Sequence, residues 1–473
     1  MTERLRPGDL AFLTQESAST PMHVATVEVF DPPPDGFDYQ SLVDLIGDRI
    51  AFVPRYRQRI QSVPGHLGIP IWVDDDFDLT FHVRRSALPR PGSMDQLRDL
   101  VARIVSRRLD RSRPLWEVYL VEGLEDGRFA VLTKSHQVLV DGASTLDLGQ
   151  LILDVSPERR ATVADEWVPE PSPGSARLLI DSAAQAVRRP AQLTAAARGA
   201  AATLHDGVVR LGQVAQSAAA LLASRPAGDG PLSVPPSQQR RFVPVATDLE
   251  DYRRVRAFHH STVNDVVLAT IAGGLRAWLM TRAEPVSSGS RLKALVPLSV
   301  LDEQGEPTSL GSQVTPYLLA LPVGEPSPVM RLHQVSYALK AHKETGRAVG
   351  ASRLARIAGF APTTFHTLGA RVAVAYPRRA FSLLVTNVPG PQFPLYACGA
   401  QMLASYPVLP LLPGHAAAIG VTSYNGKVFY GIAADYDAMT DADVLGQCIV
   451  EALEELVDTT SASHPRARRG EDG

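Results

Sequence analysis

The stretch with the fewest ways to fold is WEVYLVEGLEDGRFAVLTKSH, residues 116–136. Apolar and β-branched runs over 118–121 and 129–136 flank a Glu125-Asp126-Gly127 turn, which predicts two antiparallel strands. A lone hairpin is marginal in water, so this one must be part of a larger sheet packed on helices. The neighbouring sequence supplies helices. Leu97, Leu100, Val101, Ile104 and Val105 recur at helical spacing within 95–109, and another helix is expected over about 144–155.

Strand-like and helical stretches alternate along the rest of the chain without a repeating βαβ period. PMHVATVEVF (21–30) reads as a strand, 39–50 as a helix, and 72–83 as an acidic turn followed by extended chain. After Val168 the composition shifts. PEPSPGSA leads into an Ala-rich stretch that ends near SRPAGDGPLSVPPS. In it Leu204, Val208, Leu211, Ala215, Ala218 and Leu222 share one helical face. Residues 176–225 hold six arginines, two aspartates and no lysine. This segment reads either as a helical connector packed on the body or as a basic surface for an anionic membrane or lipid droplet. The second half restarts with RRFVPVATDL, followed by helical NDVVLATIAGGLRAWLM, strand-like RLKALVPLSVL and VTPYLLALPV, and a helix near 329–345. Extended FSLLVTNVPGP, a hairpin turned at Asn425-Gly426 and a helix over about 441–457 complete the pattern. The expectation is α+β: a domain over 1–165, a linker over 166–238, a second domain over 239–458 and a disordered tail at 459–473.

At 473 residues the chain exceeds what one core usually holds. A net charge of −3, with no zinc-ligand spacing and no basic motif, argues against a nucleic-acid partner. Cys398 and Cys448 do not suggest a disulfide framework, which fits a reduced, cytoplasmic setting. MTERLRPGDLAFL lacks the basic start and long apolar run of a signal peptide, and no apolar run of about 18 residues predicts a spanning helix. Membrane contact is expected to be peripheral.

The hairpin runs directly into KSHQVLVDGAS, residues 134–144. A strand ending at His136, a turn through Asp141-Gly142 and then a helix places polar groups at a sheet edge, where functional loops are common. Asp141 is suited to cap the helix or to orient a base, and Gly142 permits a tight turn. Taken locally, His136 reads as a structural histidine.

The wider pattern adds to this. DLAFLTQESASTPMHVATVEVF, RPLWEVYLVEGL with Pro114-Leu115-Trp116, KSHQVLVDG, TVNDVVLA, LVPLSV, NVPGPQFPLYACGA and SYNGKVFYGIAADYD occur in that order. Together they resemble the bacterial wax ester synthase/diacylglycerol acyltransferase family from Asp9 to about Val457, the linker excepted. The resemblance implies a two-domain chloramphenicol-acetyltransferase-like fold of mixed sheets and helices, with a substrate channel between the domains. It implies transfer of an acyl group from acyl-CoA to diacylglycerol or a long-chain alcohol, with no metal and no cofactor beyond acyl-CoA as substrate.

The chemistry needs a base, because a neutral hydroxyl is a poor nucleophile toward a thioester. The family motif is HHxxxDG, and its second histidine is that base. Aligned on Asp141-Gly142, the first histidine is His136 and the second position is Gln137, whose amide is not a base near neutral pH. On an extended strand His136 faces opposite to Gln137, into structure, and only a kink at the strand end would turn it inward as a substitute base; the catalytic candidates are His136, Gln137, Asp141 and Gly142. The resemblance therefore carries three readings: an acyltransferase of reduced activity, a catalytically impaired relative that binds acyl-CoA or lipid, and an acyltransferase using another acceptor such as a hydroxylated lipid.

Other positions carried by the resemblance are Asn264-Asp265, expected in a first helical turn capped by Thr262, and Glu16, either near the channel or exposed. Trp116 is expected as a packed anchor. Asn387-Val388-Pro389-Gly390-Pro391 is expected as a rigid turn beside the acyl channel. His259-His260 read as a pair at a helix start. Leu301 and Ser312 depart from the family's usual arginine and asparagine.

Overall fold

A computed structural model of the chain describes residues 3–66, 68–139, 148–158, 167–178, 180, 230–299, 314–344, 362–374 and 379–461. The strands described are β1 (His23–Asp31), β2 (Gln58–Gln61), β3 (Ile71–Asp74), β4 (Val83–Ala87), β5 (Trp116–Glu122), β6 (Phe129–His136) and β7 (Arg240–Asp248). They continue with β8 (Leu292–Ser299), β9 (Val314–Leu321), β10 (Leu383–Pro389), β11 (Tyr396–Ala397), β12 (Ala400–Val408), β13 (Ala417–Tyr424) and β14 (Lys427–Asp435). Two six-stranded mixed sheets result, ordered β11-β12-β1-β6-β5-β4 and β7-β14-β13-β10-β8-β9, beside a small β2-β3 pair.

The predicted hairpin forms as β5 and β6, with Val118 opposite Thr133. Asp126 and Gly127 take positive φ in the turn between them. Met94–Val105 forms the preceding helix, started by a capping box between Ser93 and Gln96. The hairpin at Asn425-Gly426 joins β13 to β14, both turn residues having positive φ.

The two sheets are joined by exchange of chain. β12, from the second half, pairs antiparallel with β1 from Ala25–Val408 to Asp31–Gln401. This pairing crosses the expected division between 1–165 and 239–458. As β12 passes the second sheet, Pro407 lies on Gly420 and Gly431, and a Cβ at Gly431 would meet the Pro407 carbonyl.

Several expectations change. Residues 72–83 contain β3 and a short Leu79–His82 helix whose start Asp78 caps by accepting the Thr80 N–H. Three helices were not assigned from the sequence, Pro7–Gln15, Leu249–His259 and Pro362–Val374. The last helix is Ala442–Ser461, so the tail does not begin at 459. Thr459 bonds His259 through its hydroxyl at 2.8 Å, which ties the final turn to another helix. The helix expected at 144–155 is described as Leu148–Ile152, and the chain after it is anchored by a buried Arg49–Asp154 ion pair at 2.9 Å. Most of the Ala-rich segment lies outside the described residues.

Among the described residues, Val263–Thr281 is the one helix long and apolar enough to cross a membrane. Its side chains from Asp265 to Leu275, with Trp278 and Leu279, are buried inside the fold.

The tight crossing gives a direct prediction. Gly431→Ala should lower unfolding stability by at least about 1–3 kcal/mol, the usual cost of overpacking. Urea titration of the variant checks this, and wild-type stability would contradict the close approach of Pro407.

Candidate active site

β6 ends at His136, and the chain turns at once into a 3-10 turn, Gln137–Leu139. β1 runs antiparallel with His23 opposite His136, and the Gln137 N–H donates to the Met22 carbonyl at 3.0 Å. Alternation along the strands puts His23, His136 and Lys134 on one face. Against that face lies the C-terminal end of the Met94–Val105 helix. Lys134 Nζ donates to the Ile104 and Arg107 carbonyls at 3.2 and 2.6 Å, and His23 Nε2 donates to the Val105 carbonyl at 3.0 Å. These side chains satisfy carbonyls that a helix end leaves open. Lys134 also approaches Glu117 at 3.3 Å, and Arg84 balances that carboxylate from its other side at 3.1 Å.

His136 is buried and committed. Its Nδ1 accepts the Val138 backbone N–H at 3.2 Å. An N–H can only donate, so the Nδ1 lone pair is occupied and the neutral ring carries its proton on Nε2. Nε2 lies 3.6 Å from Glu16 Oε1. Glu16 is not an exposed helix residue: its carboxylate is buried, with Oε2 accepting Arg111 Nε and Nη2 at 2.9 and 2.6 Å. Burial alone would raise its pKa, but His136 and Arg111 outweigh burial and hold it at about 2.

Gln137 is fully buried, and neither its Oε1 nor its Nε2 has a hydrogen-bond partner. Its main chain is fixed from the second half of the protein. Arg371, on the Pro362–Val374 helix, donates through Nη1 to the Gln137 carbonyl at 2.5 Å and through Nη2 to Asp9. The Arg371 guanidinium also lies over the Phe12 ring, 4.8 Å from its centroid. Among the described residues, four buried polar atoms at this strand end make no hydrogen bond: both Gln137 amide atoms, His23 Nδ1 and His136 Nε2, the last facing Glu16. Buried unpaired groups cost about 1–3 kcal/mol each, so a cluster of them marks a place for a ligand or water.

Residues 5–267 match the wax ester synthase/diacylglycerol acyltransferase catalytic domain, and residues 310–457 match the WS/DGAT C-terminal domain. The chain belongs to this family. A probable diacylglycerol O-acyltransferase of Mycobacterium tuberculosis, tgs1, is 33% identical across 98% of this chain and 97% of its own length. Another from that organism, tgs3, is 43% identical over 261 residues, which are 54% of this chain and 96% of its own. The structure of a wax ester synthase/diacylglycerol acyltransferase from Marinobacter aquaeolei VT8 is similar with a TM-score of 0.67 and 26% identity, covering 97% of this chain and 100% of that one. A condensation domain of rhizomide synthetase shares the fold, with a TM-score of 0.56 and 12% identity over 97% of this chain and 94% of its own.

In this member of the wax ester synthase/diacylglycerol acyltransferase family the remaining expected positions fall in different places. Asp141 and Gly142, with Leu301 and Ser312, lie outside the described residues. Trp116 is a packed anchor as expected: it is fully buried, donates from Nε1 to the Tyr56 carbonyl at 2.8 Å and stacks on His82. Asp265 forms the expected capping box with Thr262 and also accepts from Ser336 Oγ at 2.6 Å. Asn264 Oδ1 accepts the Asn387 side-chain N–H at 2.9 Å, a pairing the sequence did not suggest. Asn387 and Pro389 are strand residues of β10, and the turn begins only at Gly390, whose N–H bonds Ser423. His259 closes one helix and His260 follows at positive φ as its C-cap, so the pair ends a helix where a start was expected.

Arg371, Arg111 and His23 were missed. The first two act through contacts distant in sequence. His23 was visible only as one member of a β-branched strand.

Glu16 yields a pH-dependent prediction. Its folded pKa of about 2 lies below the ordinary 4.5, so its ionised form stabilises the fold above about pH 4.5, and that stability is lost as pH falls toward 2. The stability gap between wild type and Glu16→Gln should be full at neutral pH and close over that window. A gap independent of pH in urea unfolding would contradict the buried ion-pair assignment.

Proposed function

We propose that this chain transfers a fatty acyl group from acyl-CoA to the hydroxyl of diacylglycerol or a long-chain alcohol, with reduced turnover and no cofactor beyond the acyl-CoA substrate. The observation that carries the reading is the end of β6. The position where the motif supplies its base holds Gln137, fully buried with its amide unpaired, inside a chain that matches the family in both halves. The names of the Mycobacterium relatives and of the Marinobacter enzyme support triacylglycerol or wax ester as product.

The rate follows from the side-chain chemistry. An amide can orient a hydroxyl or a thioester carbonyl but does not take a proton near neutral pH. His136 does not replace it, because the lone pair of its Nδ1 is held by the Val138 N–H. Loss of general-base help costs about 10²- to 10⁴-fold, while binding and orientation sustain the remaining rate. The same observation favours a second reading, an acyl-CoA- or lipid-binding relative that does not turn over. We further propose a cytoplasmic protein that touches a membrane or lipid-droplet surface through 176–225. Flotation on anionic vesicles should then weaken when that segment is deleted.

The test compares the purified full chain with Gln137→His on palmitoyl-CoA and diolein. Gln137→His should raise kcat about tenfold or more, part of the range general bases supply, with acyl-CoA binding unchanged. A fast wild type unaffected by the substitution refutes the reduced-turnover reading. Acyl-CoA binding without transfer in both proteins selects the binding relative.

A further inference from the structure

The peptide group that follows Gln137 is held at both of its polar ends. Its carbonyl accepts Arg371 Nη1, and its N–H, that of Val138, donates to His136 Nδ1 at 3.2 Å. The peptide group before Gln137 is held as well, because its N–H donates to the Met22 carbonyl at 3.0 Å. Peptide groups are planar, so fixing the two that flank a residue fixes its φ and ψ and the direction of its Cα–Cβ bond. The buried Gln137 amide makes no hydrogen bond of its own. Its direction is therefore set by the backbone and by packing.

Arg371 is itself firmly held. Its Nη2 donates to Asp9, a buried carboxylate on the N-terminal helix Pro7–Gln15. Its guanidinium lies over the ring of Phe12, three residues along the same helix. That helix leads directly into Glu16, which faces His136. A fork that joins a carboxylate to a backbone carbonyl while resting on an aromatic ring is arginine chemistry, since lysine offers a point charge without the planar geometry. A charged donor also makes a hydrogen bond about twice as strong as a neutral one, so this contact sets the turn more firmly than a neutral donor would.

We propose that Arg371 is a positioning residue for acyl transfer: it holds the Gln137 carbonyl and so aims the side chain at position 137 toward the reacting groups. The inference rests on the acyl-transfer reading. Arg371 acts through position 137, and a misplacement of about 1 Å there costs up to about 10²-fold in rate. Because the arginine belongs to the second half of the chain, the motif of the first half reaches its working geometry only with the second half in place.

The experiment uses the full-length chain in two pairs, wild type with Arg371→Lys and Gln137→His with Gln137→His/Arg371→Lys, on palmitoyl-CoA and diolein. Each protein's thermal melt is recorded, and rates are read well below it. Arg371→Lys keeps the charge beside Asp9 but cannot fork to both partners. In the Gln137→His background it should lower kcat about tenfold or more with KM for palmitoyl-CoA unchanged. The fall should be smaller in the wild-type background, where the amide takes no proton and the rate depends less on its reach. A merely structural arginine would lower the melt and leave kcat as it was, and that result overturns the inference. An equal fall in both backgrounds overturns it too, because Arg371 would then not act through position 137. If wild type transfers nothing, the Gln137→His pair decides by kcat and KM alone. If Arg371→Lys does not fold, Asp9→Asn decides in its place: it keeps the arginine, loosens the fork and should lower kcat in the same pattern. Transfer by neither wild type nor Gln137→His means the acyl-transfer reading itself has failed, whereas an active Gln137→His indifferent to Arg371→Lys overturns this inference alone.

Discussion

The pairing of β1 with β12 is the contact on which the arrangement of the site depends. β12 belongs to the second half of the chain but completes the first sheet, with a register shift between Val29 and Phe30. β1 is thereby held between a strand from each half, β12 on one side and β6 on the other. The shared end of β1 and β6, with His23, His136 and Gln137, is fixed at the seam. Gly420 and Gly431 let the second sheet approach Pro407 closely enough to support that geometry. A side chain at either glycine would push the sheets apart where the polar groups meet.

The buried polar groups around this seam are tolerated because nearly every charge has a partner. Lys134 has two carbonyls and Glu117, and Glu117 also has Arg84. Glu16 has Arg111 and faces His136. Arg371 has Asp9 and the Gln137 carbonyl. Removing one member of such a set leaves an uncompensated buried charge, which generally costs more than the set contributes. At the end of β6 the described atoms without a hydrogen bond are two on an amide and one on each of two imidazoles. An uncharged amide such as that of Gln137 is a group a fold can leave open for a ligand at modest cost.

Much of the fold was legible because its signals are local. The β5–β6 hairpin, the Tyr39–Ile50 helix and the turn at Asn425-Gly426 follow from alternation, helical spacing and turn chemistry within a few residues. The α+β class and the family resemblance followed from such pieces in order. The exchange of β12 was not legible, since pairing of Ala25 with Val408 joins residues far apart in sequence and leaves no periodic mark on either. The site divides in the same way. Motif spacing singled out His136, Gln137 and Glu16, which lie together at the end of β6, and Trp116, which packs on His82. Arg371 was not, because an arginine inside an apolar helix gives no local hint that its partner is the Gln137 carbonyl. The Asn264–Asn387 bond was hidden for the same reason.

Whether a histidine is a base is decided by what its second nitrogen touches, and a sequence does not display that. His136 and His23 face each other across one strand pair, on the same face of the same sheet. One meets a backbone N–H at Nδ1 and the other a backbone carbonyl at Nε2. Those two contacts assign the rings opposite roles: His136 has its Nδ1 lone pair occupied and its proton directed toward Glu16, whereas His23 has its proton fixed and its lone pair free. Gln137 between them is held by its own backbone from both sides, and its buried amide keeps a donor and an acceptor without partners.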